Sequence, residues 1–411
     1  MPWLATDTVK QRAKFVLEWE RRRDEAPDHR VNLSELARVY GVSRQTAHVW
    51  LKRYLKAGTL DVLADRSRRP HTMPTKVSDE IEAVVVAAKK TYPKWGPRKL
   101  RALLVDRYPQ REWPSVSCMS VILKRHGLTK PRRKRRRAPI PVTAPFAECI
   151  APNDVWCIDF KGKFRTRDGT PCHVLTLVDA YSRYLLRCEV LVAPTGRNVE
   201  DVLDSAFQEF GLPRAMRSDN GPPFASTGAG GLTALSVWWL RLGIELQRID
   251  PGKPQQNGRQ ERVHLTMEEV VATPAAHPRA QQRALDLWRY EYNEVRPHEA
   301  LRMKPPAAIH QSSSRHYPCK LVEPPRIAQA DDYISLDDDG RMRFRRRQIH
   351  ISSALARETV QIIWHDDVTH FDVYYGPIHL GTVDAEHLDR GLRIRHRRRR
   401  HTHEVTRMSL D

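Results

Sequence analysis

A chain of 411 residues with 40% apolar content is too long for one ordinary core and is expected to fold as several domains. Its 70 Lys and Arg against 49 Asp and Glu give a formal net charge of +21 and a pI near 10.0, which excludes a surface indifferent to polyanions and makes nucleic acid the first expected partner. No apolar run reaches the roughly 18 residues that span a bilayer and no signal-peptide pattern is read at the N-terminus, so a cytoplasmic, non-membrane protein is expected. Six scattered cysteines without a C-x-x-C pair give neither a zinc knuckle nor a disulfide framework.

Residues 1–65 read as helices. In Asn32-Leu-Ser-Glu35, Asn32 is placed to cap a helix with Glu35 reaching back, and Leu33, Leu36 and Val39 form an apolar stripe. Gly41 breaks that helix and Ser43 caps another, in which Ala47, Trp50, Leu51 and Tyr54 face inward while Arg44, Gln45, His48 and Lys52 face out. Two short helices about a glycine turn, the second presenting basic and amide side chains, predict a helix-turn-helix whose second helix enters a major groove; the plainer alternative is a helical hairpin with a solvated face. Residues 66–129 predict a second helical DNA-binding domain. Ile81, Val84, Val85 and Ala88 mark its first helix, Leu100, Leu103 and Leu104 its second, Val121, Ile122 and Leu123 its third, which ends on Lys124 and Arg125.

Periodicity stops in residues 130–153. Arg132, Arg133, Lys134, Arg135 and Arg136, followed by Pro139, Pro141 and Pro145, predict a basic linker that tracks phosphates without reading sequence. From Val155 the pattern turns to strands: three in a meander, then helix, strand, helix, strand and helix, an α/β layering around a mixed five-stranded sheet. Asp159 interrupts the apolar run VWCIDF, and a carboxylate in a strand centre needs a reason, for which a metal ion serves. Asp219 precedes the turn cluster Asn220-Gly221-Pro222-Pro223 at a strand end, and Glu261 opens a helix after a loop in which Asn257 and Gly258 supply mobility. Singly, each acid has a duller role: a paired core acid, a turn cap, a helix-start glutamate favoured by the dipole. Asp179 is the rival carboxylate, read as shaping the sheet edge, and His264 reads as a surface histidine.

The phrases IDF, SDNGPPF and KPQQNGRQER, in this order on this string of elements, resemble the catalytic core of retroviral integrases and of bacterial insertion-sequence DDE transposases; NEVRPHEAL, residues 293–301, is similar to the segment that closes that core in the bacterial enzymes. The resemblance implies a ribonuclease-H-like fold over residues 154–312 and a catalytic, metal-binding triad of Asp159, Asp219 and Glu261. It implies two Mg²⁺ or Mn²⁺ ions per site, DNA strand cleavage followed by joining of the 3′-hydroxyl to target DNA, double-stranded DNA partners, at least a homodimer on DNA, and a place at the bacterial nucleoid. Two alternatives remain open: a catalytically silent, transposase-derived DNA-binding regulator, and a nuclease that cuts without joining. Two departures stand out. Asp219 and Glu261 are further apart in the chain than is usual in that family, with the excess placed in loop 225–235. Leu265, Met267, Glu268 and Glu269 also replace the basic residues that follow the glutamate in relatives.

Residues 313–392 are strand-rich, with a hairpin expected about Asp339-Gly340 and three more strands after it. A small SH3-like β-barrel is expected, similar to the C-terminal DNA-binding domain of integrases, with Arg341, Arg343 and Arg345 alternating along one strand face. Residues 393–411 read as a basic tail.

Overall fold

A computed structural model describes residues 7–66, 77–129, 149–250, 258–318, 321, 326–327, 330–366 and 368–394. The basic stretch with Arg132, Arg133, Lys134, Arg135 and Arg136, the loop residue Asn257 and the tail from residue 395 lie outside the described residues. The chain divides into two compact units, 1–78 and 79–411.

The first unit holds α1 (Thr8–Glu25), α2 (Leu33–Val39) and α3 (Arg44–Ala57). Side chains cap all three: Asp7 accepts from the amides of Val9 and Lys10, Asn32 from that of Glu35, Ser43 from that of Thr46. Gly41, at φ 65°, makes the turn between α2 and α3, a left-handed backbone that a side chain would resist. Phe15, Val16, Leu36, Ala37, Ala47, Trp50 and Leu63 form the core. Val39, expected in the stripe, is 63% exposed, and Ala37 packs inward in its place. Glu35 lies 3.7 Å from Arg22, where a return to the amide of Asn32 was expected. Arg12 is buried against Trp50, its Cζ 3.7 Å from the ring centroid, and is paid in polar contacts to the Leu63 carbonyl at 2.8 Å and Asp65 at 2.9 Å.

The second unit opens with α4 (Asp79–Thr91), α5 (Pro97–Arg107) and α6 (Val116–Arg125), packed through Val85, Leu100, Leu104, Met119 and Ile122. A mixed sheet follows. Strands β1 (Val155–Arg165), β2 (Pro171–Asp179) and β3 (Leu185–Leu191) form the meander, then come α7 (Gly196–Phe210), β4 (Ala215–Ser218), α8 (Ala234–Arg241), β5 (Glu245–Arg248), α9 (Gly258–Val271) and α10 (Pro278–Tyr290). The strand order is β3-β2-β1-β4-β5, with β1 antiparallel to β2 and parallel to β4. Alternation along β1 divides its side chains. Trp156 and Ile158 join Phe207, Trp239 and Leu203 of α7 and α8 on one face, while α9 and α10 cover the other through Val263, Met267, Leu285 and Trp288. Each fully buried large side chain of this kind contributes about 1.5–3 kcal/mol.

The C-terminal strands are β6 (Asp332–Ser335), β7 (Arg341–Phe344), β8 (Arg347–His350), β9 (Thr359–Trp364), β10 (His370–Tyr375), β11 (Ile378–Asp384) and β12 (Leu392–Arg393). They form an antiparallel sheet ordered β12-β11-β10-β9-β6 and a β7-β8 hairpin, joined by the bridge between Leu336 and Met342. The chain reverses at residues 337–340, where Leu336 bridges Met342 and the Gly340 amide donates to the Asp337 carbonyl at 3.0 Å, as expected about Asp339-Gly340; a second, unexpected hairpin, β7-β8, turns at Arg345-Arg346, at φ 43° and 62°. Arg345 therefore leaves the strand face shared by Arg341 and Arg343, because it is one of the two turn residues. Loop 225–235 is no slack insertion: Ala229 and Leu232 share a core with Val237 and Leu240 of α8 and with Met342, Ile362, Phe371 and Leu380 of the C-terminal strands. A Cβ on Gly230 would stand 2.7 Å from the Ile378 Cγ2, so the loop seats that sheet through glycine.

Candidate active site

Asp159 lies in β1 opposite Thr176 of β2, on the face covered by α9. Its Oδ1 accepts the Phe160 amide at 2.8 Å, and its backbone carbonyl accepts the Thr176 hydroxyl at 3.0 Å. The parallel register pairs Val155 with Ala215 and Cys157 with Arg217. Asp159 and Asp219, the latter the first residue after β4, each come two residues after the last pair of this register. Asp219 Oδ1 accepts the Gly221 amide at 3.2 Å, closing the turn that ends the strand. Both aspartates are half-buried.

Glu261 stands exposed in the first turn of α9, immediately after the undescribed residues 251–257. Its helix is tied to the sheet by the two side chains flanking that turn. Gln260 is fully buried and donates through Nε2 to the Cys157 carbonyl at 2.5 Å. His264 Nε2 lies 2.9 Å from the Thr176 hydroxyl. That hydroxyl has one proton; with it given to the Asp159 carbonyl, His264 is the Nε2–H tautomer and donates to Thr176. Burial, with a smaller push from Lys161, lowers the His264 pKa to about 4, so the ring is neutral near pH 7. His264 is thus not the surface histidine expected; it and Gln260 were missed, although the spacing 260, 263, 264, 267 already places them on the same helical face as Val263 and Met267.

The carboxylate oxygens suit a hard divalent cation in kind. In arrangement they fall short: among the described residues no group of three or more His, Cys, Asp or Glu is drawn together to hold a metal ion. Asp159 lies in β1, Asp219 follows β4 on the neighbouring strand, and Glu261 lies in the first turn of α9. Asp179, the rival, is wholly buried and occupied, accepting from the amides of Asn153 at 3.1 Å and Ser182 at 3.0 Å and from the Ser182 hydroxyl. The acids after Glu261 are occupied too, Glu268 by Lys161 at 3.0 Å and Glu269 by Lys94 at 3.5 Å.

Arg44, Gln45, His48 and Lys52 are exposed on α3, and their side chains make no hydrogen bond or ion pair with any described residue. The end of α6 differs: Lys124 is exposed, whereas Arg125 and His126 both bind Glu82 of α4, the histidine at 2.6 Å. On β7, Arg341 is 3.3 Å from Asp339, Arg343 is exposed, and Arg345 turns back over Phe344 with Cζ 5.4 Å from the ring centroid.

Residues 150–254 and 242–306 match two models of an integrase core domain, residues 11–71 a helix-turn-helix domain and residues 46–123 a homeodomain-like domain. An uncharacterized 31.7 kDa protein of insertion element IS407 from Burkholderia multivorans is 29% identical over 297 residues, covering 69% of this chain and 94% of its own. An uncharacterized 39.2 kDa protein of insertion element IS476 from Xanthomonas euvesicatoria is 31% identical over 239 residues, covering 57% of this chain and 66% of its own. Of solved structures, the HTLV-2 integrase catalytic core domain in complex with magnesium, in its trimeric form, aligns at 16% identity and a TM-score of 0.32 over 39% of this chain and 99% of its own.

Proposed function

We propose, on the premise that this chain belongs with the insertion-element proteins that carry an integrase core domain and helix-turn-helix domains, that it is a DNA transposase. It binds the ends of its mobile element, hydrolyses a strand there, and joins the exposed 3′-hydroxyl to target DNA by transesterification. The observation that carries this reading is the parallel register between β1 and β4, in which Asp159 and Asp219 each come two residues after the last pair, with α9 packed on β1. Gln260 and His264 hold the start of α9 on that strand, so that Glu261 would complete the triad. Asp159, Asp219 and Glu261 would hold Mg²⁺ or Mn²⁺, two ions to a site, which when bound supply an activated oxygen nucleophile and charge neutralisation at the scissile phosphate. No covalent protein–DNA linkage is needed.

In this reading α3 reads the element end through Arg44, Gln45, His48 and Lys52, with the guanidinium and amide groups suited to base edges. Residues 66–129, with Lys124 and Arg125, the linker with Arg132, Arg133, Lys134, Arg135 and Arg136, and Asn257 add DNA contacts. Residues 313–392 form an SH3-like barrel carrying Arg341, Arg343 and Arg345; the bridge from Leu336 to Met342 and the shared core support that closure. No helix among the described residues is long and apolar enough to cross a membrane. In this reading the protein works at the nucleoid, as a homodimer or higher oligomer pairing two ends.

The test incubates the protein with labelled element-end DNA, Mg²⁺ and a target duplex. Nicking followed by joining is expected, both lost in Asp159→Asn while end binding is retained. Binding without nicking by the wild type gives the regulator, nicking without joining gives the nuclease, and cleavage by Asp159→Asn removes the assigned site.

A further inference from the structure

Glu268 and Glu269 are spent on ion pairs, and of the two arginines of α9 Arg259 is turned to the Ala180 carbonyl, which leaves Arg262 as the exposed one. The charge is gathered beside it. A cavity of about 400 Å³ is lined by Lys99 of α5, by Arg262 and Thr266 of α9, and by Arg296, His298 and Glu299 of the segment after α10. Three cations line it with one carboxylate, Glu299, while Glu269 and Glu291 act on Arg296 from outside the lining. The Lys99 ammonium is half-buried and has no hydrogen bond or ion pair with any described residue. Burial pushes its pKa down to about 8, Arg296 and Arg262 adding to the push and Glu299 opposing it. Arg296 is buried with its Cζ 5.7 Å from the centroid of Trp95, and burial lowers its pKa as well. His298 adds no charge: burial first, then Lys99 and Arg296, lowers its pKa to about 3.

Arg296 is buried and Lys99 half-buried, with Arg262 exposed at the rim, and cations drawn partly out of water favour an anion that completes the set. The opening fits tetrahedral oxygens better than a carboxylate side chain, since a lysine point charge and two guanidinium forks line it from three separate segments. Along α9, Thr266 is ~7.5 Å beyond Glu261 at 1.5 Å rise per residue. That is roughly two nucleotide steps of ~3.4 Å on one strand.

We propose that this cavity is a docking site for a backbone phosphate of duplex DNA, shared between α5, α9 and the residue 296–299 segment, which fixes the strand at a set distance from the carboxylates. The proposal rests on the transposase reading for its partner, but its readout is binding and involves no chemistry. The full chain is titrated with a random-sequence duplex between about 50 and 200 mM salt. Lys99→Gln is expected to flatten the slope of log affinity against log salt by about 0.9, one lost phosphate contact, and to weaken binding about tenfold near 0.1 M salt; Lys99→Arg keeps the slope.

In parallel, wild-type Lys99 is probed by limited amine acylation and mass spectrometry, alone, with the duplex, and with inorganic phosphate. Protection by the duplex supports the proposal even if Lys99→Gln fails to fold. Protection by inorganic phosphate alone makes this a free-anion site and overturns it, as do an unchanged slope and an unprotected amine. Duplex protection alongside cleavage that survives Asp159→Asn would leave this site standing and remove the catalytic assignment; the converse pair of results would do the opposite.

Discussion

The two faces of the central sheet use the same five strands for different ends. On the α7 and α8 side, Trp156, Ile158, Leu175 and Leu177 meet Phe207, Phe210, Trp239 and Leu203, and the α8 end of that layer continues into the C-terminal sheet through Val237 and Leu240. On the α9 and α10 side an apolar patch of Val174, Val178, Val263, Met267, Leu285 and Trp288 is interrupted by Asp159, Thr176, Gln260 and His264. Side chains alternate along a strand, so one strand can give its even residues to cohesion and its odd ones to chemistry. The polar face is tolerated because the apolar one supplies the packing, and because Asp159, Thr176, Gln260 and His264 each have a hydrogen-bond partner.

The comparison breaks first on the apolar side. Phe207 is fully buried and lies 5.9 Å from Trp156 and 5.3 Å from Trp238, centroid to centroid. Phe207→Ala is expected to cost about 3–5 kcal/mol in denaturant unfolding. End binding by α3 should survive it, since that helix has its own core around Phe15 and Trp50. A loss below about 1 kcal/mol would mean that this face does not carry the sheet.

On the polar side, acid is the sharper probe. The His264 pKa is depressed to about 4 from an ordinary value of 6.5. The unfolded chain takes up a proton below about pH 6.5 while the folded ring does not until about 4, so the stability held by the neutral ring is complete above 6.5 and drains away as pH falls between those values. The loss for this one group is on the order of 2–3 kcal/mol. Unfolding midpoints of wild type and His264→Gln compared at pH 7.5 and 5 should converge at the lower pH. A gap that stays constant would show that His264 is protonated in the folded state.

Much of the division between faces was legible in the residues. The run VWCIDF announces a strand with a carboxylate against the grain, and Asn220-Gly221-Pro222-Pro223 announces where a later strand ends; both are local signals, whereas the parallel pairing of β1 with β4 is tertiary. What escaped is tertiary. His264 resembles a surface residue until Thr176, far back in the chain, is placed opposite it. Loop 225–235 reads as slack from its Gly, Ser and Thr content, whereas Gly230 is small because Ile378 and Leu380 press on it from the C-terminal sheet. The turn about Asp339-Gly340 was a local signal and is present; the second reversal escaped, because pairing of Met342 with Ile349 sets a turn at Arg345-Arg346 and accepts two non-glycine residues at positive φ.

The finest test of the polar face is a single hydroxyl. Thr176→Val keeps shape and branching but removes the group that joins the Asp159 carbonyl to the His264 ring, leaving a buried acceptor and a buried N–H without their partner. Stability should fall by about 1–2 kcal/mol, less than for Phe207→Ala because no cavity opens. Activity should fall further than stability accounts for, since the same contact seats the start of α9 that carries Glu261. Thr176→Ser restores the hydroxyl and should recover strand cleavage at a small packing cost. If valine and serine variants cleave alike, the hydroxyl is only a packing group, and the seating of α9 rests on Gln260 alone.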